Sequence, residues 1–200
     1  MNSRWNAVVL LASAGFSTVE TSAVLMVASL LSATAAPHIQ EYVDNARSTK
    51  ALGDVKVIAL SIVRLTLQVG KIGGHQRERP TLLVSEGDIP GPERPDAQPW
   101  TAPVNEGATQ TLRAHLVDNT AGYNVAAGQP FRWRGPYVEG LSADPWGSRY
   151  AANVGLLDRP GGHAVIVVSP GPNRILEVPF ETVGLGNVGD DVISLIGTGR

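Results

Sequence analysis

The feature that most constrains this chain is an apolar run from Trp5 to Ala36, in which Glu20 is the only ionisable side chain. As one helix, this run would extend about 48 Å, whereas the hydrocarbon core of a bilayer is roughly 30 Å thick. The shorter stretch from Phe16 to Ala36 would extend about 31 Å. The sequence therefore predicts a membrane-spanning helix that begins near Phe16, and Arg4 ahead of it favours a cytoplasmic N-terminus.

Three processing schemes are compatible with this run. The segment can remain as an uncleaved membrane anchor, or a signal peptidase can cut after Ala33-Thr34-Ala35, ahead of Ala36. In the third scheme the chain is cut after Gly15. A carboxylate among lipid tails costs several kcal/mol unless it has a partner. Only the third scheme supplies a partner for Glu20, namely the new α-amine of Phe16 on a neighbouring copy.

The string from Gly15 to Glu20 resembles the prepilin processing motif, in which a Gly precedes the scissile bond and a Glu is the fifth mature residue. The resemblance implies that a prepilin peptidase cuts between Gly15 and Phe16 and methylates the new amine. It also implies that Glu20 sets the register of assembly. Pro37 falls where pilin helices often carry a proline, and we expect it to kink the helix.

Helical character continues beyond Pro37 as an amphipathic pattern that ends near Gly70. We expect this helix to lie on a sheet. The apolar positions that recur at steps of three and four are Val43, Ala46, Leu52, Val55, Ala59, Ile62, Val63 and Leu67.

The middle of the chain is rich in proline. The range Arg77–Pro103 carries six prolines, which predicts a long surface loop with neither a regular helix nor a central strand. The range Glu106–Val117 is compatible with a short helix. This region is either a site of subunit contacts or a solvated loop.

A second resemblance lies in the C-terminal third of the chain, in Arg134–Leu141 and Asp144–Tyr150. These stretches resemble the GPYL and DPWGNPY elements of the major pseudopilin of type II secretion systems. The turn residues that carry the resemblance are Gly135, Pro136, Tyr137, Asp144, Pro145, Trp146 and Gly147. Tyr137 and Trp146 are large enough to pack the sheet against the helix. Two apolar runs, Ala164–Val168 and Asp191–Ile196, predict strands.

The same resemblance implies a structural Ca²⁺ in the C-terminal loops. Ca²⁺ takes several carboxylate, amide and carbonyl oxygens. The candidate ligands are Asp190, Asp191, Asn173 and Ser169. The alternative is an ordinary turn with a solvated pair of acidic residues.

Composition excludes several other classes of protein. A net charge of −2 argues against coating nucleic acid, and the absence of cysteine rules out disulfides and thiolate metal sites. The four histidines, His38, His75, His115 and His163, lie far apart without metal-ligand spacing. No nucleophile elbow or phosphate loop occurs, so we expect a protein that is not an enzyme.

Together these features predict an α+β, pilin-like fold in which a long N-terminal helix packs on a small antiparallel sheet. The expected parts are a leader (1–15), a membrane helix (16–37), an amphipathic helix (38–70), a variable region (71–134) and a β domain (135–200). The implied function is a pseudopilin subunit in the bacterial inner membrane, with its C-terminal domain in the periplasm. Its partners would be further copies, minor pseudopilins, the prepilin peptidase and the assembly platform. The alternatives are a type IV or competence pilin and a secreted binding domain.

Overall fold

The computed structural model describes residues 17–73, 79–106, 108–186 and 188–199, with the backbone alone for residues 34–37. The chain divides into two compact units, Met1–Asp44 and Asn45–Arg200. Helix α1, Thr18–Val69, contains 52 residues and continues through Pro37, as the predicted long N-terminal helix requires. The fold class is α+β, as predicted from the sequence.

Local signals define both ends of α1. Ser17 precedes the first turn, and its hydroxyl accepts a hydrogen bond from the Glu20 N–H at 3.2 Å. The Glu20 carboxylate in turn accepts one from the Ser17 N–H at 3.1 Å. This reciprocal pair is a capping box, which satisfies two N–H groups that the first turn leaves free. At the other end Gly70 adopts a positive φ of 80°, where glycine avoids the strain of a side chain, and the helix stops.

From Asn45 onward, one face of α1 is buried. Its fully or nearly fully buried side chains follow steps of three and four, as one face of a helix requires. They are Ala51, Val55, Ile58, Ala59, Ile62 and Leu65. The sequence correctly predicted Val55, Ala59 and Ile62. Four other positions of the predicted pattern are exposed, because apolar residues occur on more than one side of this helix: Val43, Ala46, Leu52 and Leu67.

The main sheet is built from five strands: β1 (Leu82–Val84), β3 (Thr109–Thr111), β4 (Ala151–Ala152), β5 (Ala164–Ser169) and β7 (Val192–Thr198). Across the sheet their order is β3-β1-β4-β5-β7. Strand β1 pairs in parallel with β3, while the other three pairs are antiparallel. The sheet is therefore mixed rather than antiparallel throughout. The two strands predicted from apolar runs are confirmed as β5 and β7.

Both faces of the sheet are covered. On one face Leu83, Ala152 and Val167 belong to the core cluster that contains Val55 and Ile62 of α1. The opposite face has its own cluster, formed by alternate strand residues together with Trp100 and Phe180. Trp100 is fully buried, its ring lies edge-on to that of Phe180, and its indole N–H donates to the Val178 carbonyl at 3.1 Å.

The prediction of a loose surface loop over Arg77–Pro103 is therefore wrong for the described part of that range. It contributes β1, an inner strand of the sheet, and the short strand β2, Gly91–Pro92, which pairs with β6, Ile175–Leu176. A 3-10 helix, Pro95–Thr101, carries Trp100 over the second face. Pro95 and Pro99 lie in the 3-10 helix and Pro92 lies in the two-stranded sheet, while β1 itself contains no proline, so none of them interrupts the five-stranded sheet.

A hydrogen-bonded chain of polar groups closes the end of α1 against the middle of the domain. The Gly73 N–H donates to the Tyr123 hydroxyl at 2.9 Å, and Tyr123 lies 2.7 Å from His115 Nδ1. His115 Nε2 lies 2.8 Å from Gln110 Oε1, an acceptor, so Nε2 carries the proton. His115 lies in helix α2, Leu112–Leu116, within the range predicted for a short helix. Burial lowers the pKa of His115 to about 4.

Candidate assembly surface and acidic loop site

The first turn of α1 contains the acidic residue singled out from the sequence. Gly15 and Phe16, the predicted cleavage site, lie outside the described residues. Glu20 is exposed and its carboxylate is held by the Ser17 N–H in the capping box. This local role of Glu20 was not predicted in addition to its role in assembly, although a Ser followed three residues later by a Glu is the signature of a capping box.

The described side chains of residues 17–33 and 38–50 are all exposed. By length and composition α1 could cross a membrane, since an 18-residue window within it has a mean hydropathy of 1.5 and none of that window is buried. The exposed large apolar side chains of this part include Val19, Val24, Leu25, Met26, Val27, Leu30 and Leu31. Such a surface needs an apolar environment, either lipid or protein.

A second exposed apolar surface lies on α1 after Asn45. Gly53, Leu60 and Leu67 are spaced by seven residues, so successive positions differ by only about 20° around the helix axis. They lie on the side of the helix opposite the buried face. Leu60 and Leu67 are 62% and 75% exposed, and nothing lies within 4 Å of a Cβ built on Gly53. We call these three residues the outer stripe, a feature that the sequence analysis missed.

The outer stripe has basic flanks. Lys56 and Arg64 are both exposed and lie on either side of the line through Leu60 and Leu67 when residues are placed at 100° per position. The stripe therefore combines apolar side chains at its centre with positive charges at its borders. This distribution is typical of a helix face that packs against another helix.

The turn predicted around Asp144 is present, and Asp144 is its centre. Its buried carboxylate accepts hydrogen bonds from the N–H groups of Trp146 at 3.0 Å and Ser148 at 2.8 Å. Its second oxygen accepts one from the Ser169 hydroxyl at 2.6 Å, which fastens the turn to the end of β5. Gly147 has a φ of 92°, as expected for this position in the turn.

Of the two aromatic residues predicted to pack against the helix, Tyr137 contacts α1, whereas Trp146 does not belong to the core beside it. The Tyr137 hydroxyl donates to Gln68 Oε1 at 2.7 Å, and Tyr137 packs at the margin of the first core cluster. Trp146 is only half-buried and belongs to neither cluster. Tyr150, which the sequence analysis did not single out, is buried and donates to Asp54 Oδ2 at 2.8 Å. Burial, followed by the Asp54 carboxylate, raises the pKa of Tyr150.

Close packing precedes Tyr137. A side chain on Gly135 would collide with the rings of Trp133 and Tyr137, and the peptide bond to Pro136 is cis. Pro145 follows Asp144 in the second turn. The predicted turn residues therefore lie on the same compact unit, and those from Asp144 to Gly147 form a tight turn closed by a hydrogen bond from the Gly147 N–H to the Asp144 carbonyl.

The acidic loop site comprises Asn173, Glu177, Asp190 and Asp191. Asp190 accepts hydrogen bonds from the Asn173 side-chain amide at 2.5 Å and from the Asn173 N–H at 3.3 Å. Glu177, which the sequence analysis did not include, accepts one from the Asp190 N–H at 2.7 Å. The Glu177 carboxylate lies so close to the Gly189 backbone that any side chain at position 189 would overlap it.

Asp191 is the buried member of this group. It is 7% exposed, and its Oδ2 accepts the N–H groups of Glu177 at 2.9 Å and Val178 at 2.8 Å. Its Oδ1 is buried without a partner among the described residues. Burial raises the pKa of Asp191 to about 7, and the neighbouring charges of Glu177 and Asp190 act in the same direction.

Two of the predicted calcium ligands have their oxygens engaged elsewhere. The Ser169 hydroxyl donates to Asp144, and the Asn173 amide oxygen accepts the Ile175 N–H at 2.7 Å. Among the described residues, no three His, Asp or Glu side chains are arranged as a ready metal site. Asp191 is the group that fits a hard cation best, because its buried Oδ1 lacks a hydrogen-bond partner among the described residues.

Comparison with known proteins gives no relative, since no protein-family model, curated protein or solved structure matches the chain.

Proposed function

We propose that this chain is a membrane-anchored subunit of a filament of the pseudopilin type, rather than an enzyme. The observation that carries the proposal is the outer stripe, Gly53, Leu60 and Leu67. One face of α1 is occupied by the core of the domain, while the opposite face presents apolar side chains at a spacing suited to another helix. A helix with two apolar faces needs two packing partners, and further copies of the chain supply the second.

The N-terminal part of α1 supports the same proposal. Its exposed apolar side chains match a bilayer before assembly and the core of a filament afterwards. Cutting between Gly15 and Phe16 would create an amine close in sequence to Glu20. The Glu20 carboxylate of one copy then pairs with the amine of a neighbour, and in a medium of low dielectric this pair defines the register.

The proposed partners follow from this scheme. They are further copies of the chain, minor pseudopilins, a prepilin peptidase and an inner-membrane assembly platform, and the domain from Asn45 onward would lie in the periplasm. The filament would serve protein export. The sequence elements around Gly135 and Asp144 favour a secretion pseudopilus over a type IV or competence pilus.

The first experiment is mass spectrometry of the mature N-terminus from a host that carries a prepilin peptidase. We expect the chain to begin at a methylated Phe16. A chain that begins at Ala36 would support the alternative, a secreted binding domain, which is favoured by the compactness of the unit Asn45–Arg200. A chain that retains its first fifteen residues would contradict both schemes.

The second experiment tests the outer stripe. Leu60→Asp should abolish filaments seen by electron microscopy of sheared cells, while the protein remains at its normal level in the membrane. The matched control is Ile89→Asp, because Ile89 is an exposed apolar residue that lies on a loop away from α1. Normal filaments from Leu60→Asp would contradict the proposal.

We also propose that the acidic loop site binds Ca²⁺ at Asp191, and that the neighbouring carboxylates of Glu177 and Asp190 turn towards the ion to complete its ligands. Two properties of Asp191 support the proposal, namely its buried, unpaired Oδ1 and its raised pKa. A divalent cation would bind this oxygen and would neutralise the negative charges of Asp191, Glu177 and Asp190. The ion would stiffen the loops that carry these residues.

Thermal unfolding in a calcium titration tests the cation site. We expect Ca²⁺ to raise the melting temperature of the native chain and to have no effect on Asp191→Asn. Asp158→Asn is the control, since the Asp158 side chain is exposed and pairs with Arg79 elsewhere in the domain. A calcium response that survives in Asp191→Asn, or that is absent from the native chain, would contradict the assignment.

A further inference from the structure

The side chains of Lys56 and Arg64, the cations that border the outer stripe, make no hydrogen bond or ion pair with any residue that the structure describes. Their situation differs from that of Lys50, which lies six residues before Lys56 on α1 and pairs with Asp54 at 3.0 Å. Two unpaired cations beside an apolar stripe form a surface that favours a partner helix carrying negative charge.

A free carboxylate is available on the same helix. Glu41 is exposed, and within the described part of the chain its side chain has no partner. Each copy of the chain therefore carries one unpaired acidic side chain in the earlier part of α1 and two unpaired basic side chains in the later part.

The apolar stripe cannot define an alignment alone. Leucines that repeat every seven residues pack almost equally well when a partner slides by two turns, so the stripe gives affinity without selecting an offset. Charges at fixed positions remove this ambiguity, because a wrong offset leaves them unpaired or places like charges together.

We propose that Lys56 and Arg64 of one copy bind Glu41 of a second copy, and that these pairs set the offset between neighbouring copies. The inference rests on the proposed function, in which copies of α1 pack side by side. The partner is a second copy because its own α1 supplies the complementary charge.

Charge reversal tests the proposal in full-length protein expressed in cells that assemble the filament. Glu41→Lys and the double variant Lys56→Glu with Arg64→Glu should each lower the filament yield at least tenfold. Combining all three substitutions should restore most of the yield. The control is Lys71→Glu, because Lys71 is an exposed cation that lies beyond the end of α1 near Asp158. It should leave the yield unchanged.

Crosslinking supplies an independent readout, because the chain has no cysteine and every introduced thiol is therefore unique. Glu41→Cys combined with Lys56→Cys, or with Arg64→Cys, should give crosslinked ladders when filaments are treated with a bismaleimide of about 10 Å reach, because side chains that form an ion pair hold their Cα atoms farther apart than a direct disulfide allows. Glu41→Cys combined with Lys71→Cys should not.

The outcomes separate this inference from the proposed function. If the native chain forms filaments, but charge reversal has no effect and neither cysteine pair crosslinks, the charge pairing is wrong and the filament proposal stands. If the native chain forms no filaments in a competent host, the proposed function fails and the pairing fails with it. Rescue by the triple charge swap, or a ladder from either cysteine pair, supports the inference.

Discussion

The helix before Asp44 and the compact unit from Asn45 onward are stabilised in different ways. In the first region every described side chain is exposed, and the hydrogen bonds at its start are local. In the second, side chains from α1 are buried with residues more than a hundred positions away, such as Val167. The first region is therefore specified by its own sequence and its surroundings, and the second by tertiary packing.

This difference teaches that one helix can serve two physical purposes. Its earlier part meets the requirements of a bilayer, namely length, apolar surface and satisfied backbone groups. Its later part is one layer of a folded domain that also has an exposed apolar face. Mutations in the two parts should consequently be detected by different measurements.

The largest expected effect is on the buried face of α1. Ile62→Ala should lower the free energy of unfolding by about 2–5 kcal/mol, because it leaves a cavity in the core. Leu60→Ala, on the outer stripe, should change it by less than about 0.5 kcal/mol. Urea unfolding of the full-length protein in mild detergent measures both. Equal losses of unfolding free energy in Ile62→Ala and Leu60→Ala would contradict the assignment of one buried and one exposed face of α1.

The next effect concerns pH and the buried His115. Its pKa is about 4 in the folded protein and 6.5 when exposed, so below pH 6.5 the unfolded chain binds a proton that the folded chain excludes. Stability should fall by up to about 3 kcal/mol between pH 6.5 and pH 4 from this group alone.

The contribution of His115 is isolated by comparing the native chain with His115→Gln. Asp191 acts in the opposite direction, since its raised pKa favours the folded state as the pH falls from 7 towards 4. The quantity to follow is therefore the free energy of unfolding of the native chain minus that of His115→Gln. The contribution of Asp191 cancels in this difference, because Asp191 is present in both proteins. We expect this difference to shrink from pH 7 to pH 4, and a constant difference would contradict the role of His115.

A smaller effect is expected at the acidic loop site. In calcium-free buffer at pH 7, Asp191→Asn should raise the free energy of unfolding by roughly 1–3 kcal/mol, because it removes a carboxylate charge that burial and the charges of Glu177 and Asp190 disfavour. The amide oxygen can still accept the N–H groups of Glu177 and Val178. Chemical unfolding with a chelator present measures the change, and destabilisation at pH 7 would contradict the assigned cause of the raised pKa.

The smallest effect should appear at the start of α1. Ser17→Ala removes one half of the capping box and should cost about 1 kcal/mol of helix stability. Circular dichroism of a peptide covering residues 16–44 in detergent micelles measures the loss of helix. Ser22→Ala is the control, because the Ser22 hydroxyl donates to the Thr18 carbonyl and caps no N–H group. An equal loss in the control would show that local capping does not determine this end.

The candidate site was predictable where the determinants are local. The capping residue Ser17, the stop at Gly70 and the turn at Asp144 all follow from residue types at short spacing. The predicted ligands Asp190 and Asn173 do lie together. Glu177 and Tyr150 were missed because their partners, Asp190 and Asp54, are distant in sequence. No short pattern connects residues whose contact depends on how the sheet is assembled.

The amino-acid sequence by itself determined the long helix, its first and last turns, and the strands β5 and β7, because hydrophobic periodicity and backbone preferences act over a few residues. Only the tertiary structure decided which apolar face of α1 is buried, and that Trp100 covers the second face of the sheet. It also decided that the proline-rich segment provides β1. These choices depend on burial against distant parts of the chain, and many residues are apolar enough to satisfy more than one arrangement.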